Sequence, residues 1–242
     1  MSRSLALTIP ALPEFGDHRI RGKAVVPAAF LLDTVVRAAS EPGLGEQPLL
    51  RKGPWEGPLE PPRGSSVGPS PPELTRVLTL SQAVFPRFLL VDEIDRCTFA
   101  LLVTSAGAQA HHLALRSTIA LPGGAQRTRE HVALSLGESA SVPCADPPGQ
   151  PAGELSVPAA RLYDELIPFG PRYRNLHDPL RLSHAGAEGV VSSPDPPFDH
   201  PSLAGCPYLF DSAMHLACLW GQRYAAAVLY PTGFVSRTIV AP

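Results

Sequence analysis

Asp17-His18-Arg19-Ile20-Arg21-Gly22-Lys23-Ala24-Val25-Val26-Pro27 runs directly into Ala28-Ala29-Phe30-Leu31-Leu32-Asp33-Thr34-Val35-Val36-Arg37-Ala38-Ala39. The second part has proline where a first helical turn accepts it and apolar residues around most of its circumference, so it predicts a helix that other elements must wrap. Its charges, Asp33 and Arg37, stand four apart with the acid first, the favourable order for a pair on one strip, and that strip is expected to face outward. In extended geometry His18, Ile20 and Gly22 point to one face and Arg19, Arg21 and Lys23 to the other. The histidine is therefore expected on the apolar side of a strand that feeds a buried helix.

The chain around this segment has 242 residues, 44% hydrophobic and 17% charged, enough to bury a core as one large domain or two small ones. Its 29 prolines exceed average usage and have to sit in loops or at helix starts. A net charge of -2 offers no general attraction to nucleic acid or anionic lipid. Cys97, Cys144, Cys206 and Cys218 form no C-x-x-C pair, and the amino terminus lacks the charged-then-apolar layout of a secretory leader, so a reduced, cytoplasmic setting is expected. No apolar run approaches the ~20 residues of a membrane span. Even 207–230 is broken by Asp211, His215, Gln222 and Arg223.

Composition and periodicity divide the chain into a first half, 1–141, a loose Pro-containing linker, 142–153, and a second half, 154–242. Within the first half, 41–72 is dense in Pro, Gly and Ser and is expected to form a mobile insertion, with Trp55 and the Leu49-Leu50 pair as docking points. Apolar runs at 85–91, 97–104 and 111–121 predict antiparallel strands. The second half predicts a short helix at 158–166, strands at 178–183 and 188–192, a long helix at 207–228 and a final strand at 233–240. Two helices, each wrapped by an antiparallel sheet, make an α+β duplication visible in architecture and not in residue identity. On the long helix Asp211, His215, Cys218 and Gln222 share a narrow stripe at 100° per residue, opposite Leu209, Ala213, Leu216 and Trp220. Phe210 and Met214 border the stripe. Periodicity alone fits either a cleft or a solvated face.

The run His18, three residues, Gly22, four residues, Pro27 resembles a motif of the dehydratase domains of polyketide and fatty-acid synthases. Two further segments follow in that family's order. Leu162-Tyr163-Asp164-Glu165-Leu166-Ile167-Pro168-Phe169-Gly170-Pro171-Arg172-Tyr173-Arg174-Asn175-Leu176 is similar to its Y-G-P-x-F region, and Asp211-Ser212-Ala213-Met214-His215 to its D-x-x-x-Q/H motif. The resemblance spans about residues 13 to 240 with the Pro-rich insertion unmatched. It implies a double hotdog, two halves each with a central helix in an antiparallel sheet, and elimination of water from a β-hydroxyacyl thioester to an α,β-enoyl thioester.

In that family reading His18 is the base, Asp211 the acid and His215 the neutral donor that orients the Asp211 carboxyl. Gly22, Pro27, Ala28, Phe169, Gly170, Pro171 and Tyr173 fall at substrate-binding positions. An imidazole titrates near ~6.5 and an aspartate near ~3.9, so the base needs no help at neutral pH whereas Asp211 is expected to be kept protonated by burial against Phe210 and Met214. The amides of Ala28 and Ala29, at a helix start, are expected to face the thioester oxygen. No metal and no cofactor is implied beyond the phosphopantetheine of an acyl carrier protein. The implied partners are that carrier and other synthase domains or subunits, and neither nucleic acid nor membrane.

Some residues depart from the pattern. Phe169 stands where the family has a tyrosine, Tyr173 where it has a phenylalanine, and Ala28 where it has a glycine. The last recognisable strand lies close to Pro242, which leaves three alternatives: an abbreviated second half, an excised piece, or a gap covered by another subunit, a homodimer included. The same two proton-handling residues would also suit a pyran-forming cyclase or a double-bond isomerase, and the departures would suit a non-catalytic acyl-binding or scaffold protein. Arg172 and Arg174 are either carrier contacts or solvated surface. The spacing of Asp211 and His215 is also a zinc-ligand spacing, but the motif context points to proton transfer. His111 and His112 face opposite ways on a strand, and Cys206 and Cys218 read as small core residues.

Overall fold

Alternation of buried and solvent-facing side chains builds the largest of three sheets, and the helix foreseen at 28–39 packs on one of its faces. The computed structural model describes residues 2–40, 77–106, 110–139, 155–194, 202 and 204–240. The expected insertion at 41–72, with Trp55 and the Leu49-Leu50 pair, and the linker at 142–153 lie outside the described residues. Along the chain come β1 (Ser2–Leu7), a 3-10 turn (Pro13–Asp17), β2 (Arg19–Ile20), β3 (Lys23–Val26), α1 (Ala28–Ser40), β4 (Val77–Val84) and β5 (Leu89–Leu90). A second 3-10 turn (Val91–Arg96) leads to β6 (Cys97–Ser105), β7 (Ala110–Ala120), β8 (Gln126–Ser139) and β9 (Leu155–Val157). The rest comprises α2 (Ala159–Arg161) running into a π turn (Leu162–Leu166), a 3-10 turn (Pro171–Tyr173), β10 (Leu176–Ser183), β11 (Gly186–Val191), α3 (Pro207–Ala225) and β12 (Gly233–Val240).

The large sheet is antiparallel in the order β1-β6-β7-β8-β4-β12. Leu101, Val103, Leu113, Leu115, Val132, Leu134 and Leu136 face α1, whose Phe30, Leu31, Leu32, Val35, Val36 and Ala39 complete the first core. Each of these Val, Leu and Phe side chains contributes roughly 1.5 to 3 kcal/mol on leaving water. A second core packs α3 and the 159–176 segment against the antiparallel sheet β11-β10-β9. Ile20 and Val25 of the β2–β3 hairpin belong to this second core, while Phe210 and Met214 of α3 pack on the first. The two halves are thus stitched by exchanged side chains along one seam. No helix among the described residues is long and apolar enough to cross a membrane.

Several expectations need correction. The final strand, assigned to the second half, pairs with β4 from Gly233 opposite Val84 to Val240 opposite Val77. Phe234 and Ile239 bury against the first core, and Gly233 permits that approach, since a Cβ there would collide with the Ala83 carbonyl oxygen. The expected strand at 85–91 is mostly a connection that turns to pair only at β5, because the Phe85 amide bonds to the Thr232 carbonyl instead. The longest strand, β8, opens with the charged run Gln126-Arg127-Thr128-Arg129-Glu130, which hides its alternation.

Asp33 does not face outward. It is 2% exposed and accepts hydrogen bonds from Arg37 Nη2 at 2.6 Å, from the Ser202 hydroxyl at 2.5 Å and from the Ala204 amide at 3.4 Å. The loop before α3 therefore folds over α1 and ties to its carboxylate. Gly170 makes a second tie: its amide donates to the Asp17 carbonyl at 2.8 Å, and a Cβ there would fall inside the Asp17 side chain.

Removal of the Asp33 carboxylate strands partners from two elements, so Asp33→Ala should cost about 2 to 3 kcal/mol in denaturant unfolding, the range for hydrogen bonds to a charged group. The solvent-exposed Arg161–Glu165 pair should give no measurable change in Arg161→Ala. Gly170→Ala has to push the Asp17 turn away at a cost of about 1 to 3 kcal/mol, read in the same experiment.

Candidate active site

At the seam a small cavity of about 40 Å³ is lined by His18, Ile20, Val26, Ala28, Phe88 and Phe169 on one side. Asp211, Met214, His215, Cys218, Tyr230 and Pro231 close the other. Its walls are mostly apolar, and its charged or titratable groups near neutrality are two imidazoles and one carboxyl, beside the Cys218 thiol and the Tyr230 phenol. His18 follows the 3-10 turn and is 5% exposed. Its ring packs against Phe169 and Tyr173, with ring centroids 4.4 and 5.1 Å away. Nδ1 lies 3.1 Å from the Val25 carbonyl oxygen, which can only accept, so Nδ1 carries a proton and donates it. Nε2 is thereby aimed across the seam, 3.6 Å from Asp211 Oδ2.

Asp211, His215 and Cys218 occupy the buried face of α3 at successive turns, as helical spacing dictates, while Gln222 of the expected stripe reaches solvent. His215 Nε2 lies 3.0 Å from the same Asp211 Oδ2. On its other side His215 Nδ1 meets the Tyr163 hydroxyl at 3.2 Å, and that oxygen accepts from the Leu176 amide at 3.3 Å. Tyr163 reaches this point because the π turn, closed by the Ile167 amide on the Leu162 carbonyl at 2.9 Å, rotates it inward. Sequence reading passed over Tyr163. Its flanking Arg161, Asp164 and Glu165 gave no local sign that the phenol would be buried and need a partner.

Burial pushes the Asp211 carboxyl up, but the charge of His18 and the hydrogen bonds from His18 and His215 outweigh it, and the net direction is downward. The direction runs against the expectation of a protonated Asp211: the surroundings seen here favour its carboxylate form. Burial pushes the Tyr163 phenol up to about 12 and the Cys218 thiol up to about 12, so the first remains a proton donor and the second is no nucleophile. The Cys218 thiol donates to the Leu229 carbonyl at 3.0 Å.

Other sequence-selected positions scatter around this centre. Ala28 lines the cavity, and its amide precedes the first intrahelical bonds, given by Phe30 and Leu31 to the Pro27 carbonyl. Pro27 is buried at the helix start and does not line the cavity. Gly22 is solvent-exposed in the two-residue turn of the β2–β3 hairpin, where φ is 52° at Arg21 and 78° at Gly22. Such turns demand positive φ at both places, so its glycine serves the turn and not a ligand. Gly170 and the exposed Pro171 act through the Asp17 tie and the following 3-10 turn. Tyr173 lies tilted against His18 with its hydroxyl buried and unpartnered, so it does not replace the hydroxyl absent at Phe169. Phe210 lies under the Arg237 guanidinium, 3.8 Å from its ring centre, instead of walling the cleft. Arg174 donates to the Phe169 carbonyl and to Asp164, each at 2.8 Å, and Arg172 lies over the Tyr208 ring at 5.0 Å.

A larger hollow of about 250 Å³ lies on the solvent face of the big sheet. Of its lining groups His112 bonds to Ser135 at 2.7 Å and Arg116 is taken by Glu130 outside the hollow at 3.1 Å, and no carboxyl lines it. The two imidazoles and the buried carboxyl line the smaller cavity.

No protein-family model and no curated protein matches the chain. Solved structures do. An inactive variant of the CurK dehydratase, from the curacin polyketide synthase, matches with a TM-score of 0.64 at 14% identity, over 97% of this chain and 75% of its own. The dehydratase domain of RzxB from Pseudomonas fluorescens gives 0.63 at 14% identity, over 98% and 78%. The dehydratase domain of PpsC from Mycobacterium tuberculosis gives 0.57 at 16% identity, over 97% and 74%. The chain therefore has the double-hotdog fold of the polyketide synthase dehydratase domains.

Proposed function

We propose that the protein is a dehydratase that eliminates water from a β-hydroxyacyl thioester carried on the phosphopantetheine of an acyl carrier protein, within polyketide or fatty-acid assembly. The observation that carries this reading is the approach of His18 Nε2 to Asp211 Oδ2, 3.6 Å apart in an apolar cavity, each from a different half of the molecule. In the reaction His18 Nε2 takes the proton from the carbon next to the thioester carbonyl. The released electron pair forms the carbon–carbon double bond, the β-carbon–oxygen bond breaks, and the hydroxyl leaves with the Asp211 proton as water. His18 ends protonated and Asp211 ionised, and their proximity returns the proton once the product departs.

The downward shift of Asp211 fits this cycle. The pair holds one proton, and its two arrangements, ion pair or neutral base with neutral acid, differ only in where that proton lies. At an effective dielectric of 20 the attraction at this separation is roughly 4 to 5 kcal/mol, and it falls to roughly half when the distance doubles. A substrate lying between the groups imposes that separation while the burial cost of both charges stays. The balance then moves toward the neutral pair that elimination requires.

Further groups suit the substrate. The Ala28 amide, at the positive end of α1, can donate to the thioester oxygen as it gains charge. Phe88, Tyr230 and Pro231 form an apolar rim, with the exposed Arg21 close enough to bias the Tyr230 hydroxyl, which gives an acidic carrier a cation near its arm. Among the solved neighbours, inactive variants of the CurK dehydratase carry a histidine-to-phenylalanine or an aspartate-to-asparagine replacement, so that enzyme depends on one residue of each type.

The test is turnover of a 3-hydroxyacyl thioester, followed as enoyl product by mass spectrometry. The wild type should release water, and His18→Ala and Asp211→Asn should each lower kcat about 10²- to 10⁴-fold, the usual worth of a general acid or base. Both variants should retain the native circular dichroism. A folded wild type that forms no enoyl product from any chain length, or variants that keep their rate, would overturn the reading.

A further inference from the structure

A histidine beside a catalytic carboxyl can help or harm it, and which it does depends on where its ring protons sit. With Nε2–H donated to Asp211 and Nδ1 bare, His215 is a neutral donor that orients the carboxyl. With Nδ1–H it would turn a lone pair toward Asp211 Oδ2 at 3.0 Å, two acceptors in contact. With both protons it would be a cation that holds Asp211 ionised. Asp211, on the same helix, disfavours the second of these states, but nothing on α3 disfavours the cation.

The selection comes from the π turn. A phenol has one proton and accepts through its oxygen. The Leu176 amide can only donate, so it claims the oxygen of Tyr163, and the phenolic proton is left for His215 Nδ1, 3.2 Å away. The phenol is held in that place from outside. The Arg174 guanidinium lies 5.6 Å from the centre of the Tyr163 ring, and its Nε and Nη1 fasten the Phe169 carbonyl and Asp164 on the same segment. The two rings meet edge to face, centroids 5.7 Å apart.

We infer that Tyr163 is a positioning residue: by donating to His215 Nδ1 it locks His215 in the Nε2–H tautomer and so fixes the Asp211 carboxyl for proton delivery. The tautomer assignment stands on the hydrogen-bond geometry, and only its consequence for turnover rests on the dehydratase reading. Tyr163 does not line the cavity and makes no hydrogen bond to Asp211, so its link to the carboxyl runs through the imidazole.

Long-range ¹H–¹⁵N correlation spectra of imidazole-labelled protein decide the first part without any activity. The wild type should show His215 as a neutral Nε2–H tautomer with a hydrogen-bonded, unprotonated Nδ1. In Tyr163→Phe the Nδ1 resonance should move and the single tautomer be lost. An Nδ1–H tautomer in the wild type, or a His215 spectrum unchanged in Tyr163→Phe, would overturn the inference, and the wild-type spectrum alone can do so if the variant fails to fold. Turnover decides the second part. Tyr163→Phe should lower kcat about tenfold with KM unchanged. In a His215→Gln background, where an amide accepts from Tyr163 and donates to Asp211 without tautomers, the same substitution should cost less than about threefold. Equal losses in the two backgrounds would contradict a role through the tautomer. A wild type inactive on 3-hydroxyacyl thioesters, with the expected spectra, would reject the dehydratase reading and leave the tautomer lock standing.

Discussion

One carboxylate oxygen, Asp211 Oδ2, receives an imidazole from each side of the seam, His215 from its own helix and His18 from the other half. A charge in that position is costly unless paired and hydrogen-bonded. Both halves must therefore be present and in register before Asp211 can be buried at all. The remaining features serve that meeting: the hairpin that brings His18 up to the seam, the Gly170 tie to the preceding turn, and the π turn behind His215. Packing and chemistry impose the same demand.

The exchange of side chains between the cores explains how two separate sheets hold this register. Ile20 and Val25 are driven into the second core by the same burial that seats Met214 in the first, and the cavity is the gap left between them. β12, pairing with β4, and the Asp33 carboxylate, bonded to a loop 169 residues away, add long-range ties that resist shear along the seam. A rigid frame suits a pair whose attraction changes steeply with distance.

How much of this could be read in the chain depended on the range of the interactions involved. Helical periodicity alone put Asp211, His215 and Cys218 on one face of α3, and apolar residues around the whole of 28–39 demanded a wrapped helix. Both are local signals. The ordered motifs then placed His18 opposite Asp211, which no periodicity could do. What stayed hidden was non-local or without a local signature. Alternation marked 233–240 as a strand but could not choose its sheet. Asp33 looked solvent-facing because its partners Ser202 and Ala204 lie far along the chain. Tyr163 sits in a π turn, which has no residue pattern to announce it, and the direction of the Asp211 shift depends on an imidazole that only the fold brings near.

The central claim is that His18 and Asp211 share one proton across the seam. It is tested most directly by an NMR titration of protein labelled with ¹³C at aspartate carboxyls and ¹⁵N at imidazoles, in the wild type and in Asp211→Asn. Coupled groups predict that the Asp211 carboxyl and the His18 ring respond in the same pH steps, and that the His18 steps move when Asp211 is made neutral. Independent titration of the two groups, with His18 indifferent to Asp211→Asn, would contradict the account.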